Sequence, residues 1–397
     1  MTTSRAAALL RKPEQPQRAT FLELFFDLVF VVALSRISQR LLEDITSGRW
    51  ALIETGQTLL LLMALMMVWF ATSWITDLYD PQRPEIQLLV VATMFGTLVI
   101  AVALPDAFGD RGLVFASAYV AIHIGRGLLL VPALRGHEAQ RRAAGVLLWF
   151  AVSAVLWIIG AMLPPGPRSV LWALAVAVEY TGAMLLYPAP WRGRAPTAPW
   201  PVAAEYVSER YRQFFIIALG ELILVTGATY SDIFSEESSV AFVVSFATTA
   251  LVWRIYSYGA GERLPAAIAA STVPSGLVRS ALLAHLLMVA GIVATAVGYE
   301  LVIEHPLEDT HAAWTIVILG GPLLFLAGRA LLDYEVYSRI SASRLIGALV
   351  LAASVPAMIP LPPPVASIAA ALVLAGIAAH DLVRTKGRPP EPPSPPR

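Results

Sequence analysis

Long apolar segments alternate with short polar segments along almost the whole chain. Each apolar segment is about 20 residues long, the length that an α-helix needs to cross the hydrocarbon core of a bilayer. Proline, glycine and charged residues separate the segments, so the pattern predicts an all-α bundle of twelve membrane-spanning helices. The predicted spans cover residues 20–42, 50–76, 85–104, 112–133, 143–163, 169–187, 209–230, 239–258, 278–300, 312–332, 341–360 and 365–384.

Polar segments divide the chain around these spans. The pattern predicts a cytoplasmic N-terminal tail (1–19), a first six-helix half (20–187), a polar, proline-rich linker (188–206), a second six-helix half (207–384) and a C-terminal tail (385–397). The C-terminal tail is predicted to be disordered because a segment rich in proline and polar residues cannot form a packed core.

The two halves resemble each other in order and spacing. FLELFFDLVFVV in the first span aligns with FIIALGELILVT in the seventh, which places Asp27 over Glu221. GRGLLL in the fourth span aligns with GRALLD in the tenth, which places Arg126 over Arg329. Because six is an even number, the two halves would enter the membrane in the same direction, as parallel repeats do.

Composition supports a membrane protein and excludes several functions. Hydrophobic residues make up 57% of the chain and charged residues 14%, against about 25% charged in a soluble protein. The predicted partner is therefore the lipid bilayer, and the net charge of zero gives no reason to expect nucleic acid. The chain has no cysteine, which excludes disulfides and cysteine catalysis. Its two lysines, Lys12 and Lys386, lie in the tails, which excludes a retinal Schiff base.

Arginine and lysine residues predict the orientation of the chain. They concentrate in both tails and in the fourth and sixth connections, whereas the seventh and ninth connections are acidic. Cytoplasmic loops carry the excess of positive charge, so both termini are predicted to be cytoplasmic. This orientation requires an even number of spans, in agreement with twelve.

Ionisable residues inside the predicted spans are the candidate functional residues. A charged side chain in a span costs roughly 2.5–3.5 kcal/mol, so such residues usually face the bundle interior and pair with one another. The candidates within an inner polar cluster are Asp27, Arg126, Glu179, Glu221, His285 and Arg329, with Glu23 and His123 beside them.

Depth predicts which of these side chains meet. Counted at 1.5 Å per residue along each helix, Asp27 and Arg126 lie at one level of the first half, and Glu221 and Arg329 at a similar level of the second. Each carboxylate is therefore predicted to pair with the arginine of its half. Glu23 lies close enough to the membrane surface to cap its helix or to reach water.

The cluster has two interpretations. The carboxylate–arginine pairs could only hold helices together, since polar residues often join membrane helices. They could instead line a polar chamber that takes up protons or substrate. Glu179 could bond neighbouring tyrosine or tryptophan side chains, and His123 and His285 could be satisfied interior histidines.

Three motifs resemble the bacterial low-temperature-requirement A (LtrA) family. They are ELFFDLVFVVALSRIS from Glu23, SERYRQFFIIALGELIL from Ser208 and AHLLMVAGIVATAVGYE from Ala284. The resemblance implies a multi-pass protein of the bacterial cell membrane that is needed for growth in the cold, and it implies no defined biochemical activity.

The leading functional hypothesis is a proton-coupled secondary transporter. Asp27, Glu221 and Glu179 would carry protons, and Arg126 and Arg329 would bind an anionic group of the substrate or adjust the carboxylates. The alternatives are an intramembrane enzyme that modifies lipid, with Glu221 and His285 as an acid–base pair, and a non-catalytic membrane scaffold. No metal site or cofactor is predicted, and the substrate and oligomeric state stay open.

Overall fold

The computed structural model describes residues 2–11, 19–46, 52–189, 203–308, 310–386 and 391–396. Within these residues the chain forms fourteen α-helices, one 3-10 turn and no β-strand. The helices are α1 (Thr2–Leu9), α2 (Phe21–Thr46), α3 (Leu52–Leu78), α4 (Pro84–Ala103), α5 (Gly112–Ala133), α6 (Ala139–Ala161), α7 (Pro165–Met184), α8 (Ala204–Ile233), α9 (Glu236–Ser257), α10 (Ala260–Ala270), α11 (Pro274–Glu304), α12 (Ala312–Tyr337), α13 (Ala342–Met358) and α14 (Pro363–Thr385).

The prediction of an all-α membrane protein is confirmed. Each of the twelve predicted segments falls on one helix, from α2 to α9 and from α11 to α14. Nine helical segments of the described chain are long and apolar enough to cross a membrane. Helices α2, α7 and α13 are not among the nine; α13 has only 17 residues.

Local sequence signals set several helix ends. Four helices (α4, α7, α11 and α14) begin with proline in the first turn, where the missing N–H would have no partner inside the helix. Helix α9 begins after Ser235, whose hydroxyl accepts a hydrogen bond from the Ser238 backbone N–H at 3.1 Å. Ser338 follows the last residue of helix α12 and adopts the left-handed conformation with φ of 53° that often closes a helix.

The described helices belong to two compact units. Unit 1 comprises Met1–Ile37 and Leu52–Tyr206, and unit 2 comprises Ser38–Ala51 and Val207–Arg397. The division runs through α2, whose first part belongs to unit 1 and whose last part belongs to unit 2. The predicted linker lies mostly outside the described residues.

Aromatic side chains form much of the unit 1 interior. Phe115 on α5 packs on Trp172 of α7 with ring centroids 5.4 Å apart, and Trp157 of α6 packs on the same indole at 5.0 Å. These large side chains fill the space between α5, α6 and α7 and hold the polar residues of the same helices in fixed positions.

Glycines bring α11 and α12 of unit 2 into backbone contact. A Cβ added to Gly291 would lie 2.5 Å from the Phe325 backbone nitrogen, and one added to Gly328 would lie 2.6 Å from the Ala284 carbonyl oxygen. Small residues at such positions let membrane helices approach closely. Helices α11 and α12 of unit 2 therefore pack closely because glycine occupies these positions.

Three features differ from the sequence pattern. Helix α1 forms inside the predicted N-terminal tail, and the Arg11 N–H donates to the Leu78 carbonyl at 3.0 Å. The short helix α10 was not predicted. In the C-terminal tail, residues 391–396 have no regular secondary structure, but the Ser394 N–H donates to the Val336 carbonyl at 2.8 Å.

Candidate functional site

Glu179 is the centre of a buried hydrogen-bonding group in unit 1. It lies on α7 with no exposed surface. The Tyr119 hydroxyl donates to one carboxyl oxygen at 2.5 Å, and Ser153 Oγ and Trp157 Nε1 donate to the other at 2.7 and 2.8 Å. Bonds to tyrosine and tryptophan were one possibility for Glu179 in the sequence analysis, and the structure has them. All three donors are neutral, so they stabilise the carboxyl without balancing its charge.

Ser153 has a choice of acceptors. Its hydroxyl also lies 3.1 Å from the Phe150 carbonyl oxygen, and a hydroxyl has only one hydrogen to donate. It can therefore bond either the Glu179 carboxylate or its own helix.

His123 continues the group along α5. Tyr119, His123 and Arg126 follow one another at spacings of four and three residues, so they share one face of the helix. The His123 ring stacks on Phe150 at 4.0 Å and lies 4.6 Å from the Tyr119 ring. Neither ring nitrogen has a hydrogen-bond partner among the described residues.

Arg126 is a buried cation held by neutral groups. Its Nε donates to Thr93 Oγ1 at 3.3 Å, and its Nη2 donates to Thr72 Oγ1 and, at 3.4 Å, to the Val68 carbonyl. Its Nη1 has no hydrogen-bond partner among the described residues. No described carboxylate forms an ion pair with it, and this is costly inside a membrane.

The predicted pair between Asp27 and Arg126 is wrong. Asp27 is fully buried, as predicted, but its Oδ1 accepts a hydrogen bond from Trp69 Nε1 at 2.9 Å. Equal depth did not bring the two charges together, because depth does not fix the direction in which each side chain leaves its helix.

Glu23 caps α2, as one of its two predicted roles requires. Its Oε2 accepts from the Thr20 N–H at 2.6 Å and from the Thr20 hydroxyl at 2.9 Å; the bond to the backbone N–H is the one that the glutamate of a capping box makes. Its other oxygen accepts from the Tyr206 hydroxyl. The side chain is 1% exposed, so it does not reach water.

Arg329 of unit 2 is paired, but with a different carboxylate from the one predicted. Its Nη1 donates to Asp333 one turn along α12 at 2.5 Å, and its Nε and Nη2 donate to the carbonyls of Ile255 and Tyr258 at 3.1 and 2.5 Å. The prediction that Arg329 pairs with Glu221 is wrong. The aspartate that pairs with Arg329 lies four residues away on the same helix, at the i, i+4 spacing of neighbouring side chains.

The Arg329–Asp333 pair belongs to a larger charge network. Arg344 at the start of α13 lies 3.4 Å from Asp333 and forms two hydrogen bonds with Asp381 of α14, at 2.6 and 2.7 Å. All four residues are at least 95% buried. The network joins the ends of α12, α13 and α14, and two cations balance two anions.

Sequence reasoning missed Asp333, Arg344 and Asp381. Asp333 lies just beyond the predicted tenth span, Arg344 begins the eleventh and Asp381 ends the twelfth, so each resembled a residue at the membrane surface. The i, i+4 spacing of Arg329 and Asp333 was the one available signal.

His285 is a satisfied interior histidine. Its Nε2 lies 3.0 Å from the Tyr256 hydroxyl and its Nδ1 lies 2.7 Å from the Ala281 carbonyl oxygen. The carbonyl accepts only, so Nδ1 carries the hydrogen and Nε2 accepts from Tyr256. The ring also stacks on Tyr211 at 4.4 Å. His285 and Glu221 do not form the predicted acid–base pair.

Glu221 is fully buried on α8 of unit 2. The carboxyl of Glu300 on α11 lies within electrostatic range of it.

These features define a class of protein. A chain whose described residues include nine candidate spans, and which has buried ionisable side chains in both units, is a multi-pass membrane protein. The sequence profile of the bacterial low temperature requirement A protein family matches residues 18–379. The chain therefore belongs to the LtrA family, as its motifs indicated.

A curated relative matches most of the chain. An uncharacterised protein of Rhizobium meliloti (strain 1021) is 37% identical over 324 residues, which are 80% of this chain and 78% of the relative. No solved structure gives a significant match to the chain.

Proposed function

We propose that this LtrA-family protein is a proton-coupled secondary transporter and that unit 1 holds the transport site. One observation carries the proposal: a buried carboxyl and a buried arginine lie on one connected group of side chains without pairing. Ionisable groups inside membrane proteins usually mark ion or substrate pathways when they are not neutralised by a partner.

Glu179 is the proton carrier in this proposal. The groups around Glu179 suit both the ionised and the protonated carboxyl. Ser153 can donate to the ionised carboxylate, or it can turn to the Phe150 carbonyl at 3.1 Å when the acid is protonated. Tyr119 at 2.5 Å and Trp157 at 2.8 Å hold the carboxyl in place throughout. Tyr180 on the same helix and Tyr187 lie within electrostatic range of this carboxyl.

The side chains that lie between Glu179 and Arg126 follow one face of α5. Tyr119 bonds Glu179 and lies against His123, and His123 precedes Arg126 by one turn. Tyr119 and His123 can each donate and accept hydrogen bonds, and they lie between the carboxyl and the arginine.

Unit 2 has a structural role in this proposal. Its charge-balanced network joins α12, α13 and α14, and polar groups of this kind hold membrane helices together. The hypothesis of an intramembrane enzyme that uses Glu221 and His285 receives no support, because both ring nitrogens of His285 are hydrogen-bonded to Tyr256 and Ala281.

Proton-driven uptake by the purified full-length protein tests the proposal. Proteoliposomes with an imposed pH gradient would be incubated with a bacterial metabolite extract, and the contents would be identified by mass spectrometry. We expect at least one compound to accumulate only with the gradient. Glu179→Gln imitates the protonated acid and should abolish this dependence, whereas Asp110→Asn, a change in an exposed connection, should not. Gradient-driven uptake that survives in Glu179→Gln would refute the role of Glu179.

We further propose twelve spans in two parallel six-helix repeats, with both termini cytoplasmic. The agreement of all twelve predicted segments with helices supports it. The absence of cysteine permits single-cysteine labelling in intact cells without removing native thiols. Glu236→Cys should react with a membrane-impermeant thiol reagent, and Arg141→Cys should react only after lysis. Labelling of Arg141→Cys in intact cells would contradict this topology.

A further inference from the structure

Arg126 and His123 have unused hydrogen-bonding capacity in the interior of unit 1. Arg126 is 5% exposed and His123 is 4% exposed, yet Arg126 Nη1 and both His123 nitrogens lack partners among the described residues. Buried polar groups are normally satisfied, and an exception calls for an explanation. An unpaired guanidinium in a membrane span is a costly exception.

The surrounding groups fix the direction of the guanidinium. The Thr72 hydroxyl donates to the Val68 carbonyl at 2.6 Å, and the Thr93 hydroxyl donates to the Leu89 carbonyl at 2.9 Å. With their hydrogens committed, both hydroxyl oxygens act as acceptors for Nη2 and Nε of Arg126. These contacts occupy one side of the guanidinium and leave the two N–H groups of Nη1 for a ligand.

Arg329 and Arg168 are also buried, but they do not offer such a group of donors. All three nitrogens of Arg329 donate to protein acceptors, and a carboxylate balances its charge. Arg168 directs its two terminal nitrogens at four backbone carbonyls, at 2.7 to 3.2 Å. Arg126 combines a positive charge without a carboxylate partner, free donors and a neighbouring imidazole.

We infer that Arg126 and His123 bind a small monovalent anion. One uncompensated positive charge calls for one negative charge, and Nη1 with a neutral imidazole supplies three N–H donors. The anion must be small, since Tyr119 and Phe150 pack against the His123 ring at 4.6 and 4.0 Å. A carboxylate and a halide share this chemistry.

The inference rests on the proposed function and gives it a substrate class. A monovalent anion on Arg126 together with a proton on Glu179 would cross the membrane without net charge movement. The negative charge of the anion and the positive charge of the proton cancel.

Thermal unfolding of the purified full-length protein tests the site without requiring transport. The midpoint would be measured at constant ionic strength as sodium acetate or sodium chloride replaces sodium gluconate, whose anion is too large for the site. A ligand that binds only the folded state raises the midpoint with its concentration. We expect such a rise with acetate, with chloride or with both, and none with sodium sulfate.

Three variants locate the effect. Arg126→Gln should weaken the apparent affinity at least about tenfold, as expected for the loss of a charged hydrogen bond. His123→Phe keeps the ring that stacks on Phe150 and should also weaken binding; it carries the test if Arg126→Gln does not fold. Arg168→Gln is the matched control, which should lower the midpoint in every salt and keep the same anion-dependent rise.

The outcomes separate the site from the transporter. Equal midpoints in gluconate, acetate and chloride would overturn the anion site, and so would an unchanged anion response in both Arg126→Gln and His123→Phe. Anion binding without gradient-driven uptake would keep the site and refute transport. Gradient-driven uptake of an uncharged compound, with no anion response, would keep transport and refute the site.

Discussion

Arg126 in unit 1 and Arg329 in unit 2 are both buried on apolar helices, yet their surroundings are opposite. Arg329 pairs with Asp333 at 2.5 Å and continues into the Arg344–Asp381 pair. Arg126 contacts two threonine hydroxyls and one carbonyl and has no ion pair with a described carboxylate. The sequence alignment of the two halves placed these arginines over each other.

The difference teaches how to separate a structural charge from a functional one. A network with two cations and two anions keeps its charges where they are, because moving any one of them leaves its partner unpaired in a medium of low dielectric constant. An arginine without a carboxylate partner is available for a ligand. Burial and charge are the same in both cases, and only the partners differ.

The largest expected effect is in the unit 2 network. Arg344→Gln leaves Asp333 and Asp381 with too little positive charge, and breaking a buried ion pair costs about 3–5 kcal/mol. We expect a large loss of folded protein in detergent, measured by thermal unfolding and size-exclusion chromatography. Replacing both partners, Arg344→Met with Asp381→Leu, should recover part of it, because an apolar pair leaves no unpaired charge.

The chain offers a matched control close to this network. Arg339 pairs with Glu391, but the two side chains are 52% and 53% exposed. An exposed pair contributes about 0–1 kcal/mol, so Arg339→Gln should unfold almost like the wild type. Equal losses in Arg344→Gln and Arg339→Gln would mean that burial does not strengthen the network.

A smaller effect on stability is expected at Arg126. In gluconate buffer, Arg126→Gln should leave the thermal midpoint unchanged or raise it, because the substitution removes a buried charge that has no carboxylate partner. Arg329→Gln should lower the midpoint strongly in the same buffer, since Asp333 loses its partner. Equal destabilisation by both substitutions would erase the contrast between the two units.

Much of the helical structure was predictable because it depends on local sequence. An apolar run of membrane length must form a helix, since a bilayer offers no water to satisfy backbone groups. The twelve segments were located in this way. Helices α1 and α10 were missed because they are 8 and 11 residues long and give no signal of membrane length.

The burial of the charged residues was also predictable, whereas their partners were not. Asp27, Glu179 and Glu221 are fully buried, as their positions within apolar runs indicated. The hydrogen bond between Trp69 and Asp27 could not be predicted from the sequence, because a tryptophan in an apolar segment contributes to hydropathy like any other large apolar residue. Arg344 and Asp381 were overlooked because their positions at the ends of spans suggested contact with water.

The sequence by itself determined that this protein is an α-helical membrane protein of the LtrA family with a fixed set of charges inside its helices. The hydropathy of a segment depends only on the residues of that segment, so a membrane helix can be predicted without knowing the rest of the fold. Only the tertiary structure decided that Asp333 neutralises Arg329, and that Arg126 donates hydrogen bonds to threonine hydroxyls and has no carboxylate partner among the described residues. Partner choice depends on the rotation of each helix about its axis and on its neighbours, and packing between distant segments sets both.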